Sequence, residues 1–112
     1  MTTASIMSRV RRLIQDEETP YHWTDEKIKA DIQSAVKALH KIRPETRYAN
    51  GVLVEFIPLP DTNTAEIGIE ERFADALAYY AAHMAYSDDC TDPVSKQLAD
   101  DFLAKFNAFA QM

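Results

Sequence analysis

The sequence predicts a mainly α fold: a small four-helix domain with one β-hairpin inserted between the second and third helices. Three observations predict it. Between Trp23 and Pro44, apolar residues recur every three or four positions, the period of one helix face. Between Val52 and Ile69 the period drops to two around Pro58 and Pro60, the pattern of two strands and a link. From Glu70 onward the helical period returns and breaks once, between Ser87 and Pro93. A chain of 112 residues makes one domain. It spans 1–112, with helices over about 4–15, 25–43, 70–87 and 93–110 and the hairpin over about 52–69.

In the first helix, Thr3 or Ser5 serves as cap. Ile6, Val10, Leu13 and Ile14 form the apolar stripe, with Met7 beside it. Arg9, Arg11 and Arg12 fall on the other faces. A basic helix with an apolar face can lie on a membrane or grip phosphates. The simpler reading is a solvated face with ion pairs to Asp16, Glu17 and Glu18. The connection from Asp16 to His22 contains Pro20 and is short enough to make the first two helices neighbours. Tyr21 and Trp23 are placed to lid the end of the core.

The second helix is the organising element. Thr24 caps it, and Asp25 and Glu26 suit the positive end of its dipole. Trp23 before the cap and Ile28 after it have the spacing of a hydrophobic staple. Ile28, Ile32, Ala35, Val36, Leu39 and Ile42 line its buried stripe, and Pro44 stops it. Asn50-Gly51 is a turn signal. Val52–Leu59 and Thr64–Ile69 read as the two strands of the hairpin, with Ala65, Ile67 and Ile69 on one face. In the third helix Phe73, Leu77, Tyr80, Ala81 and Met84 form the stripe, and five further alanines permit close approach by another helix. Asp92 with Pro93 starts the fourth helix. Val94, Leu98, Phe102, Phe106 and Phe109 are its apolar positions. Phe106 and Phe109 are either the end of the core or an exposed docking patch.

The net charge of −6 argues against general nucleic-acid binding. Its distribution is uneven: residues 1–50 carry nine Lys/Arg against seven Asp/Glu, and residues 51–112 carry three against eleven. Such asymmetry arises by chance between helix faces, or it serves head-to-tail contact between copies. The single cysteine, Cys90, cannot form an internal disulfide. No apolar run reaches about 20 residues, and the first residues lack the order of a signal peptide. The chain reads as soluble and intracellular.

The chemistry-bearing patterns are sparse. There is no glycine-rich phosphate loop and no nucleophile elbow. His22, His40 and His83 lie in no metal-ligand spacing. His40 stands among helix-end cations, and His83 beside the third helix's stripe reads as a partly buried core residue. Cys90, His83 and Asp88 or Asp89 can be drawn as a nucleophile site, but the acidic neighbours disfavour the thiolate. Asp88, Asp89 and Asp92 lack the order and the glycine of a calcium loop. No enzyme, metal or cofactor is expected.

The order of segments carries a resemblance. Arg11-Arg12-Leu13-Ile14-Gln15-Asp16 is followed by Trp23-Thr24-Asp25-Glu26 opening a long helix that closes through Leu39–Pro44. Asp75-Ala76-Leu77-Ala78-Tyr79-Tyr80 then leads to Ala85-Tyr86-Ser87-Asp88-Asp89. Over roughly residues 6–109 this resembles the head-tail connector (adaptor, or head-completion) proteins of tailed bacteriophages. The segment from Pro44 to Phe73 departs from the pattern by its shortness, since some adaptors carry a longer β region.

The resemblance implies a structural subunit of the virion, assembled in the host cytoplasm. It implies a ring, usually of twelve copies, between the portal protein and the next connector or tail protein, with genomic DNA passing through unbound and no membrane involved. By the family's habit, Leu98, Phe102, Phe106, Phe109 and Met112 would dock on the portal. Arg9, Arg12, Glu55, Glu66, Glu70 and Glu71 would lie at subunit contacts or along the channel. Trp23, Ile28, Ile32, Val36 and Leu39 would hold the core. The alternative is a small DNA-binding or regulatory module with Arg9, Arg11, Arg12, Lys37, Lys41 and Arg43 on one face. Against it stand the net charge and a helix connection longer than a helix-turn-helix uses.

Overall fold

The computed structural model describes residues 1–18, 22–49, 51–88 and 93–111. It is a mainly helical four-helix domain: α1 (Thr3–Leu13), α2 (Asp25–Ile42), α3 (Ala74–Asp88) and α4 (Pro93–Ala110). Single 3₁₀ turns at Pro44–Arg47 and Glu71–Phe73 follow α2 and precede α3. Between them stand two-residue strands, β1 (Tyr48–Ala49) and β2 (Val52–Leu53).

Helix α3 is central, packed on α1, α2 and α4. This explains its composition. The expected stripe of Phe73, Leu77, Tyr80, Ala81 and Met84 gives way to burial on several faces: Ala74, Ala76, Leu77, Ala78, Ala81, Ala82 and Ala85 are all inside. Tyr80 and Met84 are only half-buried. A helix with three helical neighbours buries more than one face, and small side chains let the axes approach.

Helix α2 follows its expected pattern. The Thr24 hydroxyl accepts the Lys27 N–H at 3.1 Å, and Ile28, Ile32, Ala35, Val36 and Leu39 are fully buried. The cap of α1 is Thr2, not Thr3 or Ser5. Thr2 and Ser5 exchange hydrogen bonds in a capping box, while Thr3 is turned into the core. The helix ends at Leu13, and Gln15 takes a left-handed φ of 56°.

The hairpin differs from expectation. It pairs Tyr48 with Leu53 and Ala49 with Val52, around a link in which Gly51 has φ 78° and Asn50 lies outside the described residues. Val52–Leu59 and Thr64–Ile69 do not pair with each other. Pro58 and Pro60 offer no N–H groups to a ladder. The second segment pairs instead with the start of the chain: Thr2 bridges Glu66, the Ile67 N–H donates to the Met1 carbonyl at 2.9 Å, and the Ala4 N–H to the Asn63 carbonyl at 2.9 Å. The period of two is still physical, because Ile57, Leu59, Ile67 and Ile69 all point into the core.

In α4 the buried positions are Ala99, Phe102, Phe106 and Ala110. Val94 is exposed and Phe109 lies at the surface against Tyr79. The expected cap Asp92 lies outside the described residues, as do Tyr21 and Cys90.

Candidate interaction surfaces

The two ends of α2 carry opposite chemistry. At its N-terminal end the chain between α1 and α2 is closed by a buried ion pair. Arg11 Nη1 donates to Asp16 Oδ2 at 2.9 Å and to the Trp23 carbonyl at 3.1 Å, and Nη2 reaches Asp25 Oδ1 at 2.5 Å. Asp16 in turn accepts the N–H groups of His22 at 2.8 Å and Trp23 at 3.1 Å. Burial alone would raise the Asp16 carboxyl, but those two N–H groups and the Arg11 guanidinium outweigh it and hold it below the usual carboxylate range. Arg11 is therefore not one of a solvated row of arginines. With Asp16 tied inward, Glu17 and Glu18 stand exposed on the outer side of the bend.

Contacts place the C-terminus of α3 at this same end. Lys27 bridges Asp31, at 2.6 Å, and Asp88. Trp23 meets Tyr86 edge-on with ring centroids 5.8 Å apart. Asp31 is buried on α2, which raises its carboxyl despite the Lys27 ammonium. Exposed Val94 opens α4 a short link beyond Asp88.

At the C-terminal end of α2 a groove of about 500 Å³ is lined by Lys37, His40, Lys41, Pro44, Arg47, Glu55 and Phe56. His40 builds it. Its Nε2 accepts the Ile57 N–H at 3.2 Å, so the neutral ring carries its proton on Nδ1, 2.8 Å from Thr46 Oγ1. Thr46 passes its own proton to the Arg43 carbonyl at 2.7 Å. Burial first, and the Arg47 guanidinium second, push His40 below its ordinary value. His40 is thus a neutral buttress for two loops and does not act as a helix-end cation.

Because folding depresses this pKa, the unfolded chain takes up the proton first, and stability falls as pH drops. The unfolding free energy should decline as pH falls from about 7.5 to about 5.5, where the histidine of the unfolded chain takes up its proton. Urea titrations of wild type and His40→Gln check this: the variant is less stable at the upper pH and its slope over that range is reduced. An unchanged slope would show that His40 is not the group responsible.

The groove's cations are three of the seven Lys and Arg side chains, with Arg12, Lys29, Lys96 and Lys105, that form no ion pair with a described residue. Arg9 pairs with Asp75 at 2.7 Å, Arg43 with Glu45 at 3.2 Å and Arg72 with Glu70 at 2.7 Å. Lys37, Lys41 and Arg47 form no ion pair with a described residue. Lys37 instead lies 5.2 Å from the Phe56 ring centroid, and Arg47 Nε is buried without an acceptor. The hairpin rises from this groove, since β1 follows Arg47, β2 precedes Glu55, and the Val54 N–H closes on the Arg47 carbonyl at 2.9 Å. It carries the exposed side chains of Tyr48, Val52 and Leu53.

The residues expected to dock on a portal divide. Phe102 and Phe106 are core residues, 7% and 1% exposed, so neither is presented to a partner. Leu98 is half-buried and Phe109 exposed. Met112 lies outside the described residues. Among the expected contact or channel residues, Arg9, Glu66 and Glu70 are held in ion pairs, Glu66 by the Met1 amino group. Arg12 and Glu71 are exposed, and Glu55 lines the groove. Of the six cations grouped for DNA binding, Arg11 is buried and Arg9 and Arg43 are paired.

His83 Nδ1 donates to the Ala99 carbonyl at 2.8 Å, joining α3 to α4. No group of three metal-ligating side chains occurs among the described residues, and no helix there is long and apolar enough to cross a membrane. No protein-family model, curated protein or solved structure matches this chain.

Proposed function

We propose that the chain is a structural subunit of a phage head-tail connector, forming a ring between the portal and the tail. The observation that carries the reading is the polarity of the fold. One end of α2 bears Glu17, Glu18 and the apolar Val94. The other bears three cations that form no ion pair with a described residue, and the apolar Tyr48, Val52 and Leu53. Heterologous contacts between unlike surfaces close into rings when the rotation permits. The segment order supports the same reading through its resemblance to connector proteins. In such a ring the hairpin is the element for contact with a neighbour or for lining the channel. Phe109, exposed on the last turns of α4, is the aromatic available for the portal. The role is architectural, without catalysis, metal or cofactor, and DNA passes without specific binding. The location is the virion, reached from the host cytoplasm.

Native mass spectrometry of the chain mixed with the portal protein encoded beside it tests this. A stoichiometric ring on the portal is the expected result. A chain that ignores the portal at every concentration would remove the portal-adjacent role.

A further inference from the structure

We infer that the Lys37–Lys41–Arg47 groove is the acceptor for the Glu17-Glu18 bend of a second copy of this chain. This deepens the connector reading and rests on it for the ring that the contact would close.

The charge balance points to a protein ligand. Of twelve Lys and Arg side chains in a chain of net charge −6, five form ion pairs with described side chains. Three that do not are gathered in one groove. Lys37 and Lys41 are one helical turn apart and project side by side. Arg47 adds a planar fork suited to a carboxylate, and its buried Nε lacks an acceptor. Phe56 and Pro44 add apolar surface to the lining, and Glu55 is its one carboxylate.

Geometry makes the occupant come from another molecule. Glu17 and Glu18 are exposed because Asp16 beside them is turned inward to Arg11. They lie at the opposite end of α2 from the groove, about 24 Å along the helix axis from Asp25 to Lys41. The same chain cannot close that distance. Exposed apolar side chains accompany each charge, Val94 at the acidic end and Tyr48, Val52 and Leu53 at the basic end. The contact is therefore unlike-to-unlike, and each copy keeps one free partner surface at each end of a row until the ring closes.

Charge reversal tests it on the full chain. Sedimentation velocity at low salt should show concentration-dependent association that weakens as salt is added. The K37E/K41E variant and the E17K/E18K variant should each lose at least about tenfold in association. An equimolar mixture of the two should associate again, since each reversed groove meets a reversed bend. Circular dichroism of each variant verifies folding before mixing. A wild type that stays monomeric at millimolar concentration, a reversed variant that associates like wild type, or a mixture that stays apart overturns the inference. So does salt-dependent binding of a short DNA duplex that K37E/K41E abolishes, which would make the groove a phosphate site. Portal binding is read separately. If it survives both reversals while self-association was never present, the connector reading stands and the groove contact falls. If self-association follows the charge pattern but no portal is bound, the reverse holds.

Discussion

Arg11→Ala should cost about 3 kcal/mol of unfolding free energy, a large part of what a domain of this size has to lose. The side chain is one of the few charged groups that the fold places inside, with Arg11 and Asp16 each only 8% exposed. Removing one member of a buried pair leaves the other charge without its partner, and that orphan, more than the lost attraction, sets the cost. Here the orphan is Asp16, which also receives the His22 and Trp23 N–H groups. Those two bonds soften the penalty, so the loss belongs at the lower end of the range for buried pairs. The Trp23 carbonyl and Asp25 lose a donor as well. Urea unfolding measures the loss. Arg11→Met combined with Asp16→Asn is the informative control, because it keeps volume and removes both charges. If the ion pair is the cause, the double variant recovers part of the stability lost by Arg11→Ala. If Arg11→Ala were neutral, the bend would be held by Trp23 packing alone. The exposed placement of Glu17 and Glu18 would then lose its structural basis.

Local signals made α2 legible from sequence, and tertiary partners decided what was not. Thr24, the apolar stripe and Pro44 all act within one helix, so its limits follow from residues close in the chain. Arg11 was different. Its neighbours Val10 and Ile14 face the core, and helical spacing alone placed it with Arg9 and Arg12 on the polar side. Only the return of Asp16, five residues on, makes a buried site for it. The segment from Val52 to Ile69 shows the same division. Alternation puts Ala65, Ile67 and Ile69 on one face, and Ile67 and Ile69 are buried, but no pattern within the segment names Met1 and Thr2 as the partners of its second half. Charge asymmetry between the two halves of the chain was visible too. What composition could not give is the gathering of Lys37, Lys41 and Arg47 into one groove, which depends on His40 holding the loops after α2. A buried histidine with two loop partners was a possible signal, but its neighbours Lys37, Lys41 and Arg43 disguised it as one more cation.

Phe106→Ala should destabilise the fold by about 4 kcal/mol, and Phe109→Ala by only about 1 kcal/mol. The two residues are three apart on one helix, and the sequence treats them alike. The structure does not: Phe106 is 1% exposed and Phe109 37%. Phe106 meets the Tyr80 ring edge-on at 4.8 Å, on the central helix. Truncating it removes a buried ring and leaves a cavity that α3 and α4 fill poorly, because the surrounding alanines have no side chain to swing in. Phe109 packs on Tyr79 with ring centroids 5.2 Å apart and keeps 37% of its surface in water, so its truncation uncovers less than that of Phe106. The contrast separates folding from docking. If the last turns of α4 bind a partner, Phe109→Ala should weaken that binding while the chain stays folded, the behaviour of an aromatic anchor. Phe106→Ala should weaken it only to the extent that the chain unfolds. Thermal melts of both variants, beside their binding to the portal, give the two quantities independently. A stable Phe106→Ala with lost binding would reverse the roles assigned to the two rings.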